Sequence, residues 1–304
     1  MTLQQLHYVV AVAQTGSMTE AAQQLYVSQP NLTSAIRRLE NELGFPIFRR
    51  FNKGSIPTPD GENFLAYARQ ILEQVNLVES KFLHAQRLRP KFSVSCQHYA
   101  FAVNAFVDLI RQFDTGQYDF TIRETQTYQV LEDVSRMKSE VGILYTNDQN
   151  EEFITKLIKD KGLVFEPLFV AKPHVFISAM HPLCAKKVLT LEDLKDYPCL
   201  TFDQGDANAF YFSEEILSTM DHDKNIHVHD RGTLFNLAVG LNGYTITSGI
   251  LGQDLNGKHM TTRPLDIDDY FRIGIIRQKD AVLSIYGKAY IEALQKYIKD
   301  YPKE

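Results

Sequence analysis

From Pro59 to Leu88 the chain runs about thirty residues with no second proline and, beyond Gly61, no glycine. Thr58-Pro59 is a strong helix start, because proline at the first helical position gives up only an N–H that would go unbonded there. The stretch predicts a single helix of about 45 Å. A rod of that length divides the chain, leaving residues 1–58 before it and 91–304 after it, with Arg87-Leu88-Arg89-Pro90 as the hinge that closes segment 59–90. Phe64, Ala68, Ile71, Val75, Val78 and Phe82, continued by Ala85, recur at alternating intervals of four and three. This heptad seam needs an apolar partner, either the chain's own C-terminal part or the same helix of a second copy.

The 304 residues are enough for two or three cores, and 44% hydrophobic with 23% charged residues is ordinary globular composition. No apolar run reaches the length of a membrane span, and MTLQQLHYVV lacks the basic start and small-residue cleavage site of a secretion signal, so a cytoplasmic protein with no membrane partner is expected. Cysteines 96, 184 and 199 show no CxxC spacing and are odd in number, which speaks against a disulfide framework or a zinc ribbon. No metal or cofactor is expected.

The first ninety residues read as short punctuated helices. Leu3, Leu6, Val9, Val10 and Ala13 form an amphipathic stripe that Gly16 ends, and Ser17-Met18-Thr19-Glu20 has the capping-box pattern ahead of Ala21, Ala22 and Leu25. After the turn Tyr26-Val27, Ser28 is an N-cap with Pro30 in the first turn, and Leu32, Ile36, Leu39 and Leu43 make the apolar face of a third helix ending at Gly44. Two helices joined by a tight turn, the second with small polar residues at its start, form a helix-turn-helix, whose second helix enters the major groove N-terminus first. Phe48–Pro57 adds a short basic hairpin, a wing. Charge agrees locally: residues 1–90 hold 9 Lys/Arg against 7 Asp/Glu, about +2, whereas 91–304 hold 23 against 30, about −7. On this reading Ser28, Gln29, Pro30, Asn31, Thr33 and Ser34 lie nearest the bases, while Arg37, Arg49, Arg50 and Lys53 sit beside phosphates of double-stranded DNA.

The stretch GSMTEAAQQLYVSQPNLTSAIRRLENELGFPIFRR, followed by TPDGENFL, resembles the N-terminal module of LysR-type transcriptional regulators, with Ala21, Ala22, Leu25, Ser28, Gln29, Pro30, Leu32, Ile36, Leu39, Glu40, Leu43, Gly44, Phe48 and Arg50 on the family's pattern. Ser34-Ala35 departs from it, since many relatives carry a basic or amide pair there. The resemblance implies an α/β multidomain chain: an N-terminal winged helix-turn-helix, a long linker helix pairing antiparallel in a homodimer, and a C-terminal effector domain of two Rossmann-like, periplasmic-binding-protein-like lobes. It places lobe one at 91–165 and 268–304 and lobe two at 166–267. It also implies a homotetramer built as a dimer of dimers, and RNA polymerase as a further partner.

Residues 91–304 alternate strand-like runs with helical segments, including an expected helix over Phe210–Met220, as an α/β domain does. In such folds ligands collect beyond the C-terminal ends of strands, near helix N-termini. Five loops are candidates: Ser95 with Gln97, His98 and Tyr99; Tyr145-Thr146; Thr201-Phe202; Arg231 with Thr233; and Thr247-Ser248. Their hydroxyl and amide donors, with Arg231, suit a small carboxylate or zwitterion. The SCQHY and DRGTL stretches are similar to Gram-positive LysR-type regulators of cysteine and methionine supply, which implies an O-acetylserine-like effector. No G-x-S-x-G, Walker A, G-x-G-x-x-G or H-E-x-x-H motif is present, so an enzyme is not expected. Alternative sensors would use Asp221, His222, His227, His229 and Asp230 for a metal, or Cys96, Cys184 and Cys199 for redox chemistry; a solute-binding protein without DNA is a further alternative.

Overall fold

The computed structural model describes residues 1–51, 54–82, 89–113, 116–205, 210–218, 220–251 and 259–299. The chain divides into two compact units, Met1–Leu88 and Arg89–Glu304.

In the first unit α1 (Leu3–Thr15) starts at a capping box between Thr2 and Gln5 and ends at Gly16, whose φ of +68° suits a residue without a Cβ. Helix α2 (Met18–Gln24) has the Ser17 hydroxyl as its N-cap, accepting from the Glu20 amide. The reciprocal half of the expected box is not made, because the Ser17 amide already donates to Thr15 Oγ1 at 3.3 Å. Helix α3 (Gln29–Leu43) is capped by Ser28 and closed by Gly44 at φ +80°. Leu32, Ile36 and Leu39 are buried against Leu6, Val9 and Val12 of α1, so the three-four spacing read from the sequence is the core face. Strands β1 (Phe48–Phe51) and β2 (Gly54–Pro57) pair antiparallel as the wing. Glu40 ties wing to helix: its Oε1 accepts from the Ile47 amide at 2.9 Å and the Phe48 amide at 3.2 Å.

Helix α4 runs Pro59–Phe82. Leu65, Ala68 and Leu72, spaced three and four, are buried in the core shared with α1, and Phe64 meets Phe45 edge to face at 6.5 Å. Ala68 and Phe64 therefore serve the unit's own core, which corrects their place in the expected seam. A helix that must anchor this small unit spends its first turns on it. Only farther along does the apolar strip come free, with Ile71 and Val78 exposed and Val75 half-buried, flanked by Gln70, Gln74 and Glu79. The side chain of Phe82, together with Ala85, Arg87 and Leu88, lies outside the described residues.

The second unit holds a five-stranded sheet in the order β4-β3-β5-β12-β6. Strands β3 (Lys91–Cys96), β4 (Asp119–Glu124) and β5 (Val141–Thr146) are parallel, crossed over by α5 (Ala100–Gln112) and α6 (Thr127–Ser135). After α7 (Glu151–Asp160), β6 (Leu163–Ala171) leads to the second layer: β7 (His174–Ser178), α8 (Leu191–Leu194), the parallel pair β8 (Cys199–Phe202) and β9 (Asn225–Val228), α9 (Arg231–Gly240), β10 (Thr245–Thr247) and β11 (Met260–Pro264). The order β10-β7-β11 makes its antiparallel sheet. The chain then returns as β12 (Phe271–Gln278), antiparallel to both β5 and β6, and closes with α10 (Ile285–Lys299). It thus passes between the two sheets twice. Because β6 stays paired with β12 to Ala171, the first passage falls at Lys172-Pro173 rather than between 165 and 166.

One expected element is absent. Phe210–Phe212 forms a single 3-10 turn and Leu217 takes a φ of +62°, so no α-helix spans Phe210–Met220 among its described residues. The helical spacing there is broken because Glu214 and Glu215, which a surface helix would expose, are both turned inside.

Candidate DNA-reading face and effector cleft

At the start of α3 the Ser28 hydroxyl accepts from the Asn31 amide at 3.4 Å and so is occupied in capping. Gln29, Pro30, Asn31, Ser34 and Arg37 are exposed on α3, and Arg49 is exposed on β1. Thr33 differs: its hydroxyl oxygen is shielded from solvent and has no hydrogen-bond partner, so in this conformation it is not presented to a base edge. The Arg50 side chain and Lys53 lie outside the described residues. Tyr26, in the turn between α2 and α3, is 96% exposed and sits at φ +54°, a left-handed conformation that a bulky residue seldom adopts.

In the second unit a cleft lies between the two sheets, with a cavity of about 60 Å³. From the first sheet come His98, Tyr99 and Ala100 at the start of α5, and Phe271; from the second come Phe202, Arg231, Thr247 and Ser248. These bring together six of the twelve sequence-derived candidates: His98, Tyr99, Phe202, Arg231, Thr247 and Ser248. The His98 ring stacks on Phe202 with centroids 3.7 Å apart. Its Nδ1 lies 2.9 Å from Glu214 Oε2, and the His98 amide donates to the same oxygen at 2.9 Å. Arg231, the first residue of α9, forms an ion pair with Glu124 at the end of β4, while its Nε is buried without a partner. Both pairs cross from one sheet to the other. The N-termini of α5 and α9 add their positive dipole ends to the cleft wall.

The other six candidates are elsewhere. Ser95 is turned into the first lobe, donating to Asp133 Oδ2 at 2.8 Å and sharing a 2.8 Å bond with Ser139. Gln97 is a buried brace: its Nε2 donates to Thr127 Oγ1, and its Oε1 accepts from the Tyr99 hydroxyl and the Tyr145 amide. Tyr145 is buried with its hydroxyl donating to the Glu215 carbonyl at 3.3 Å, and Thr146 is buried beside it. Thr201 bonds His227 Nδ1 at 3.0 Å and lines a neighbouring cavity. Thr233 caps α9 through Asp230. Tyr145 and Thr146 end a strand buried along its whole length, and Gln97 and Thr233 are taken up by bracing and capping, so their side chains do not enter the cleft. Sequence reasoning missed Glu214, Glu215, Glu124, Phe176 and Phe235. The one available signal was the Glu-Glu doublet in the aromatic segment Phe210–Ile216, which a solvated helix face also explains.

Burial, reinforced by the negative charge of Glu214, pushes the Glu215 carboxyl well above the usual range. Its Oε1 accepts from the Phe202 amide at 3.0 Å, and its buried Oε2 has no partner. Cys96 and Cys199 are buried, and burial pushes both thiols up to about 12, far from the thiolate that redox chemistry needs. Cys184 is half-buried with its Sγ donating to the Ser178 carbonyl. Among the described residues no three His, Cys, Asp or Glu side chains gather as a metal site. His229 instead faces Asp203 at 3.4 Å, and His222 takes the Tyr244 hydroxyl at 3.4 Å. Among the described residues no helix is long and apolar enough to cross a membrane.

Residues 3–62 match the family model of the bacterial regulatory helix-turn-helix protein, lysR family, and residues 83–299 match that of the LysR substrate binding domain. The HTH-type transcriptional regulator CysB of Burkholderia cenocepacia is 32% identical over 212 residues, 67% of this chain, and the matched stretch spans 63% of that relative's length. The uncharacterized HTH-type transcriptional regulator YvbU of Bacillus subtilis is 26% identical over 96% of this chain and 97% of its own. Full-length OxyR from Pseudomonas aeruginosa superimposes with a TM-score of 0.66 at 22% identity, covering 99% of this chain and 95% of that one, a likeness of fold. CbnR, a LysR family transcriptional regulator, gives a TM-score of 0.54 at 20% identity over 99% of this chain and 100% of its own.

Proposed function

The chain belongs to the lysR family of bacterial regulatory helix-turn-helix proteins, and from that premise we propose that it is a cytoplasmic regulator of transcription that binds promoter DNA and answers to a small metabolite held between the lobes of its second unit. The observation that carries the second half is the pair of ion pairs across the cleft, Arg231 with Glu124 and His98 with Glu214. The Arg231 guanidinium and the His98 ring both face the cleft, and each is held by an acid of the opposite lobe. A ligand carboxylate that competes for Arg231 or His98 loosens one lobe from the other. Differential affinity for the two lobe arrangements then shifts their populations, as any effector must do to act at all.

DNA binding falls to the exposed first turns of α3 for bases and to Arg37, Arg49, Arg50 and Lys53 for phosphates. The free strip Ile71, Val75 and Val78 of α4 supports a homodimer through a second copy, and the family expectation is a homotetramer that contacts RNA polymerase. The family consists of regulators rather than enzymes, and no residue is assigned a catalytic role. For the effector we favour a small sulfur amino-acid precursor of the O-acetylserine kind, which rests on the SCQHY and DRGTL resemblance and on the fit of a zwitterion to the cleft.

A thermal-shift and calorimetric screen of the purified chain against O-acetylserine, O-acetylhomoserine, cysteine, homocysteine and non-amine organic acids tests this. The expected result is saturable stabilisation by one compound, abolished in Arg231→Ala and kept in Ser95→Ala. Stabilisation that survives Arg231→Ala overturns the cleft; silence from the sulfur compounds overturns the effector class.

A further inference from the structure

The cleft's charges do not balance. Arg231 pairs with Glu124 and His98 hydrogen-bonds Glu214, but among the described residues no basic side chain is bonded to Glu215. Glu215 is 4% exposed, its Oε2 accepts no hydrogen bond, and it forms part of the wall of both the cleft and the adjoining cavity lined by His222 and His227. Glu214, its neighbour in sequence, adds negative charge beside it, and Tyr99, Tyr145 and Cys199, which burial holds in their neutral forms, supply no cation. Oε1 is held by the Phe202 amide, but a carboxyl oxygen kept in such a place without a partner, as Oε2 is, is costly unless something supplies one.

Resting on the reading of this cleft as the effector site, we propose that Glu215 is the counter-ion for an ammonium group of the effector, so that the ligand class is a small α-amino acid with an uncharged side chain. The amine supplies the missing cation at Oε2. Arg231 Nε, the other buried and unpartnered polar atom of the cleft, supplies the donor that a ligand carboxylate completes. Phe176, Phe202, Phe235 and Ile250 wall much of the remaining space together with the neutral Thr247 and Ser248, a lining that suits an uncharged side chain. Burial favours the protonated form of Glu215, and an ammonium beside it favours the carboxylate. Binding therefore shifts the Glu215 proton toward the buffer, while the ligand keeps its own.

The test is calorimetry on the full chain near neutral pH, with paired probes of one skeleton: 2-aminobutyrate and 2-hydroxybutyrate, methionine and its α-hydroxy analogue, O-acetylserine and acetylated glycerate. Each titration is run in phosphate and in Tris, whose ionisation enthalpies differ. The expected result is that an amino acid binds at least about a hundredfold more tightly than its hydroxy partner, the scale for removing one member of a buried charge pair. Its apparent enthalpy should also differ between the buffers, in the sense of proton release to the buffer. In Glu215→Gln both the amine preference and the buffer difference should vanish, while the hydroxy acid keeps its affinity, which shows the variant folded. Hydroxy acids binding as tightly as amino acids overturn the ammonium assignment and leave the cleft as an effector site. Amino-acid binding that is indifferent to Glu215→Gln, or a panel with no amine-bearing binder, overturns it as well; the cleft itself is then judged by the non-amine acids and Arg231→Ala.

Discussion

The two sites are both built on a helix N-terminus, α3 and α9, and they solve opposite electrostatic problems. Ser28 caps one and Asp230 the other. After the first cap come exposed, neutral Gln29, Pro30 and Asn31, with the cations Arg37 and Arg49 exposed farther out. After the second comes Arg231, largely buried and paired with Glu124. A surface that meets a polyanion keeps its cations in water, where they cost little and attract at long range. A cleft that encloses a small molecule must neutralise its charges with its own residues, because an unmatched charge in low dielectric is expensive. The exception within the cleft, Glu215, is for that reason its most informative residue.

The largest expected effect separates the two units. Ile36 is fully buried between α1 and α3, and Ile36→Ala should destabilise the first unit by about 3 kcal/mol, the usual loss for an emptied aliphatic site. DNA binding should fall with it, while metabolite binding to the second unit stays. Hydrogen exchange on the full chain reads the two units in one experiment, and matching loss of protection in the effector unit would break the comparison. Next in size is the reading face. Gln29→Ala should weaken the cognate site by about 1–3 kcal/mol and leave random DNA nearly unchanged, whereas Arg49→Ala should weaken both and lower the salt slope by about one. Competition binding at several salt concentrations distinguishes them, and equal loss on both DNAs for Gln29→Ala removes it from base reading.

The same contrast explains what the sequence disclosed. The reading head was legible down to single caps, since Ser17, Ser28, Gly16 and Gly44 act on residues within one turn of themselves. Locality failed only where a neighbour competed: Thr15 took the Ser17 amide, and the unit's own core took Ala68 and Phe64, the latter against Phe45, from the seam. In the second unit the strands and the loops that leave them were legible from alternation, and six cleft residues with them. The acid pair was not. Glu214 and Glu215 owe their burial to partners more than a hundred residues away in the case of His98, and to the Phe202 amide on another strand. Spacing along the chain carries no record of such partners, so an inward Glu-Glu doublet reads as an outward helix.

The pH dependence of stability sharpens the point about Glu215. Its carboxyl is raised in the folded state by burial and by Glu214, so below the ordinary carboxylate range both folded and unfolded forms hold the proton. As pH rises, the unfolded chain loses its proton first. The folded state then binds more protons, and stability falls with pH through the window above the ordinary carboxylate range. Glu215→Gln carries no such proton and removes this slope. Without ligand, the melting temperature of the variant relative to the parent should therefore climb as the pH rises above the ordinary carboxylate range. A constant difference across that range means that Glu215 is ionised in the folded cleft.

The smallest expected effect concerns the turn between α2 and α3. Tyr26 sits at φ +54° with its ring almost wholly in solvent, so the strain of a bulky left-handed residue is offset by no burial. Asparagine tolerates that conformation better, and Tyr26→Asn should stabilise the first unit by about 0.5 kcal/mol with cognate DNA affinity unchanged. Urea denaturation and a binding isotherm on the same variant measure both. The reading face would then be as economical as the comparison with the cleft implies, its specificity carried by α3 and its turn indifferent. Stabilisation accompanied by a loss of DNA affinity would instead mean that the strain holds the ring where DNA meets it, and that the exposed site, like the cleft, keeps one costly residue for its ligand.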